Sequence, residues 1–156
     1  MAGQQTRTIH LLQYSDKEVI MKKIIYTTET GVCVLHPTGE LSIEAVLAKD
    51  VPIQYRSTAR IVDNKEIPTD RYFRDAWEIK NEKIVENIDK AKEIHKNKLR
   101  ADRVALLEGQ DVLYMKALED GADTKAIVAE KKRLRDITKE VDKAATIAEI
   151  KAVKIK

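Results

Sequence analysis

The chain has 156 residues, of which 43% are apolar, 35% charged and only 4% aromatic, so its core has to be built from Ile, Val, Leu and Ala. Its formal charge of +3 is a mild excess in the back half, spread over alternating signs, which describes a solvated helix surface and not the clustered basic stripe of a nucleic-acid binder. One cysteine excludes an internal disulfide, no run approaches the roughly 18 apolar residues of a membrane span, and the first residues lack a signal-peptide core, so a soluble protein of a reducing cytosol is expected.

Residues 1–20 read as an extension ahead of a second natural start at Met21, with Ile9, Leu11 and Leu12 as a short strand that docks on the sheet or on a neighbouring chain. Residues 21–86 read as a small strand-rich module. KKIIYTT and VCVLHP form a hairpin around a three-residue Glu29-Thr30-Gly31 loop, with Gly31 supplying the positive φ and Cys33 buried in the second strand. SIEAVLAKDV follows as a helix capped by Ser42, with Ile43, Val46 and Leu47 on one face. A further strand lies within QYRSTARIVD, and DNKEIPTD is a loop.

DRYFRDAWE holds the only Phe and the only Trp. Tyr72, Phe73 and Trp77 are expected to plug the open face of the sheet. Interleaved with Arg71 and Arg74, they also have the residue types of a partner-recognition surface.

Residues 87–156 read as a helical hairpin with a short C-terminal helix. A long helix begins at Asn87 or Asp89, with Ile88, Ala91, His95, Leu99, Asp102 and Leu106 along one line. The polar interruptions at His95, Asp102 and Gln110 point to a face that grips a partner. Gly109 is the expected kink and Gly121 the stop. A second helix capped by Asp123 or Thr124 turns Ile127, Leu134, Ile137 and Val141 one way, and the short loop implies antiparallel packing. Thr146 and Glu149 form a capping box for a last helix through about Val153. The expected class is therefore α+β: a small antiparallel sheet with one short helix, then an antiparallel helical hairpin and a short C-terminal helix.

No catalytic constellation emerges. His10, His36 and His95 lack metal-ligand spacing, the five glycines form no phosphate loop, and Cys33 has no nucleophile context. No enzyme, cofactor or metal is expected. Two Arg-Asp signatures remain, LRADR at 99–103 and LRDIT at 134–138. Arg100 or Arg103 is expected to meet acidic residues across the hairpin and fix its register.

These residues carry a resemblance. IDKAKEIHKNKLRADRVALLEGQDVLYMKALEDG, AEKKRLRDIT and ATIAEIKAV resemble, in order, small proteins encoded among the tail genes of tailed bacteriophages and prophages, of the tail or tail-fibre assembly chaperone type. The matching elements are Leu99–Arg103, Leu106-Leu107, Asp111, Leu134–Asp136 and Thr146–Val153. SIEAVLAKDVP, RIVD and DRYFRDAW resemble the amino-terminal part of other short phage proteins, so the likeness spans residues 21–153.

The resemblance implies a non-enzymatic factor that binds a phage tail or tail-fibre protein in the host cytoplasm, with a structural virion component as the alternative. It implies no catalytic residues. The partner-binding candidates are Arg71, Tyr72, Phe73, Arg74, Trp77, His95, Leu99, Asp102, Arg103 and Leu106. A homo-oligomer is a further possible arrangement; nucleic acid and membrane are not expected partners.

Overall fold

The computed structural model describes residues 21–155, so the strand expected around Ile9, Leu11 and Leu12 lies outside the described residues. The chain is α+β and divides into two compact units at Glu86 and Asn87.

In the first unit, β1 (Lys22–Thr28), β2 (Gly31–Leu35) and β3 (Arg60–Asp63) form an antiparallel sheet in the order β2-β1-β3. The hairpin between β1 and β2 closes on two residues rather than three, because Thr28 pairs with Gly31. Gly31 has φ +135°, which only glycine adopts without strain. The apolar run in β1 follows from its central place. Ile24 packs with Ile43, Val46 and Val51 of helix α1 (Ile43–Asp50) and its end, while Ile25 packs on the opposite face with Val32, Val62, Ile67 and Trp77. Alternate residues of a strand point to opposite faces, so a strand covered on both sides is apolar throughout. The Ser42 side chain caps α1, accepting the Ala45 N–H at 3.3 Å.

The second face is covered by a hairpin the sequence reading missed, β4 (Trp77–Lys80) and β5 (Lys83–Glu86), with Ile79 and Ile84 packed against the core. Its turn residues Asn81 and Glu82 have φ of 50° and 64°. Asn tolerates that region, but Glu is not a residue that announces it. Cys33 is only half-buried, because β2 is an edge strand of its sheet.

In the second unit, α2 (Ile88–Asp102), α3 (Val104–Glu119), α4 (Lys125–Lys143) and α5 (Ile147–Ala152) follow one another. Asn87 caps α2 by accepting the Lys90 N–H at 3.0 Å. Asp123 accepts the Lys125 N–H at the start of α4, and Thr146 and Glu149 form the full capping box of α5. Gly121, at φ +67°, ends α3.

The break in the long helix falls at Arg103, not at Gly109, which lies inside α3. The residue at the break also makes a tertiary contact. The Arg103 guanidinium reaches α4 and donates to the carbonyls of Leu134 (3.3 Å) and Arg135 (2.7 Å). It thus meets backbone rather than the acidic partner expected, while Arg100 stays on its own helix with Asn97 and Glu93. Lysines supply the ion pairs across the hairpin, Lys96 to Asp142 at 2.9 Å and Lys131 to Asp111.

Candidate protein-docking surface

Contacts at Lys96–Asp142, Arg103–Leu134 and Asp111–Lys131 show α4 running antiparallel to α2 and α3 in succession. Its C-terminal half packs with α2, and α5 covers α2 as well. Ala91, His95, Leu99, Leu134, Val141, Ala144 and Ile150 are buried in this part. The N-terminal half of α4 packs with α3. Two helices alone bury only a narrow seam of each other, and that sets the fate of α3.

VALLEGQDVLYMKALE is far more apolar than its long neighbours α2 and α4, yet none of its residues is fully buried. At about 100° per residue, Leu107, Gln110, Tyr114 and Ala117 share the half-buried side toward α4. Lys131 sits over the Tyr114 ring, 5.0 Å from its centroid, and pairs with Asp111. Leu106 and Leu113 lie on one flank of this seam and Leu118 on the other, while Val104, Val112 and Met115 turn away from α4. All six are between 47% and 55% exposed, and Val128 on α4 is 49% exposed. Half-exposed apolar residues therefore occur on several sides of α3.

Four of the residues expected to bind a partner are interior. Phe73 and Trp77 are each 1% exposed and His95 and Leu99 3%, so their side chains belong to the cores of their own units. Truncating Trp77 would cost about 3–5 kcal/mol of stability by itself, which disqualifies it as a surface anchor. His95 is not a polar interruption of a gripping face either. Its Nε2 lies 2.8 Å from the Val153 carbonyl, an internal bond. Arg103, half-buried, holds α4.

Of the remainder, Arg71 and Arg74 are exposed beside the half-buried Tyr72, whose ring stands edge-on to Phe73 at 4.6 Å. Asp102 and Leu106 are exposed on the second unit. Sequence reasoning missed Val104, Leu113, Met115 and Leu118. Their signal was present: α3 has apolar residues on every side of its wheel, more than one packed face requires.

Among the described residues no three His, Cys, Asp or Glu side chains gather as a metal group, and no helix is long and apolar enough to cross a membrane. Comparison of the chain with protein-family models, curated proteins and solved structures finds no match.

Proposed function

We propose that this is a non-enzymatic phage protein that binds a tail or tail-fibre protein during virion assembly in the host cytoplasm. The observation that carries the reading is the exposure of α3: its apolar residues outnumber the places its own unit offers them. The resemblance of LRADR, LRDIT and RYFRDAW to phage tail-gene products supplies the class of partner. Leu106 and Leu113, seven residues apart on one flank of α3, form the principal contact for an apolar segment of the tail protein. Arg71, Tyr72 and Arg74 on the first unit form a second.

The test is co-expression with the tail and tail-fibre proteins of the same phage genome, followed by affinity capture. Capture of the tail protein by the parent chain, and its loss on Leu106→Glu with Leu113→Glu, is the expected result; equal capture by both removes the reading. Mass spectrometry of purified particles separates the two roles. A protein absent from particles acts only in assembly, whereas one present at fixed stoichiometry is a virion component.

A further inference from the structure

Gly109 lies inside α3, where glycine costs about 1 kcal/mol relative to alanine. A Cβ added there would meet no atom within 4 Å, so nothing among the described residues makes use of the missing side chain. The residue shares the side of α3 turned away from α4 with Ala105, Glu108, Val112 and Lys116. Glycine in such a place permits close approach of another backbone.

We infer that this face packs against the same face of a second copy of the chain, with the two α3 helices antiparallel and Val112 near the two-fold axis. Charge selects both the occupant and the direction. Glu108 and Lys116 stand four residues before and four residues after Val112. An antiparallel pairing therefore sets Glu108 of each copy level with Lys116 of the other, and the two-fold axis makes the contact twice. A parallel pairing would set each residue against its own kind. Neither side chain forms an ion pair among the described residues, so both are available.

Ala105 and Gly109 let the helices come close, and Val104, Val112 and Met115, at 52%, 55% and 55% exposure, supply the apolar contact. Three half-exposed side chains are a small contact beside the roughly 800 Å2 per partner of a standard interface. A contact this small makes a reversible dimer, whose strength the titration below reads. It does not depend on the identity of the tail-protein partner.

The experiment is sedimentation velocity of the full chain from about 1 to about 300 μM, with helix content checked by circular dichroism. The parent chain should shift from monomer to dimer over this range. Val112→Glu, which brings two carboxylates to the axis, should leave only monomer. Glu108→Lys should weaken association by about tenfold or more, and Glu108→Lys combined with Lys116→Glu should restore it. A parent chain that stays monomeric throughout, or a dimer indifferent to Val112→Glu, overturns the proposal. So does a charge reversal that the second reversal fails to rescue.

Discussion

His95 and Val153, 58 residues apart in the chain, are joined by a 2.8 Å contact between the imidazole Nε2 and the main-chain carbonyl. A carbonyl only accepts, so Nε2 carries the proton and donates. Val153 follows the end of α5, where the helix offers no further N–H to its carbonyls. The histidine thus ties the C-terminal segment to α2 while filling the core beside Ala91 and Leu99.

Replacing His95 by Leu keeps most of the volume and removes the donor. We expect a loss of about 1 kcal/mol in urea unfolding followed by helix ellipticity. Unfolding of the first unit, followed by the fluorescence of Trp77, should not change. A His95→Leu chain of undiminished stability that has lost tail-protein capture would return His95 to the docking surface.

Arg103 makes the corresponding connection between the two halves of the long helix and α4. Its donors reach two carbonyls inside α4, so Arg103→Ala should destabilise the helical unit by about 1.5–3 kcal/mol. Arg135, its exposed counterpart in the second Arg-Asp signature, should tolerate alanine within about 0.5 kcal/mol. Equal melting of the two variants would show that the bend does not rest on this contact.

What the sequence made legible was local. Ser42, Asn87 and the Thr146–Glu149 box cap where they were read to cap, because a cap is decided within four residues. The β1–β2 hairpin was legible for the same reason. The break at Arg103 was not, and the carbonyls its side chain reaches lie more than thirty residues away on α4. Periodicity placed His95 and Leu99 on one line with Leu106; the first two do share the buried face of α2, but Leu106 lies on α3, beyond the break at Arg103. It did not reveal that the C-terminal segment meets His95 through the Val153 carbonyl, or that Leu106 stays 47% exposed. Burial is a property of the neighbours, which a stripe on one helix does not name.

The β4–β5 turn offers a stabilising substitution. Asn81 and Glu82 both have positive φ, and a side chain bearing a Cβ costs roughly 1–2 kcal/mol there. Glycine is the residue this turn prefers at its second position. Glu82→Gly should therefore raise the stability of the first unit by about 1 kcal/mol, with part of the relief offset by a more flexible unfolded chain. The 3.9 Å approach of Glu82 to Arg60 is exposed and contributes little. Urea unfolding read by Trp77 fluorescence measures the gain; a lower midpoint would contradict the strain.

His36, exposed just beyond the end of β2, makes one pH-dependent contribution to the first unit. Continuing the β1–β2 register places it opposite Lys23, and Arg71 and Arg74 are also near it. Partial desolvation first, then the charges of Lys23, Arg71 and Arg74, hold its pKa below the usual histidine value. A base with a lowered folded-state pKa binds fewer protons folded than unfolded through this range, so stability rises with pH. The contribution is complete above the ordinary value of about 6.5 and declines as pH falls through it toward the folded-state pKa. Arg74→Ala removes one of the opposing charges and should move the His36 titration upward, toward that ordinary value. Proton–carbon NMR of the imidazole follows the titration directly. A midpoint unmoved by Arg74→Ala and Arg71→Ala together would mean that desolvation, not the flanking arginines, sets the shift.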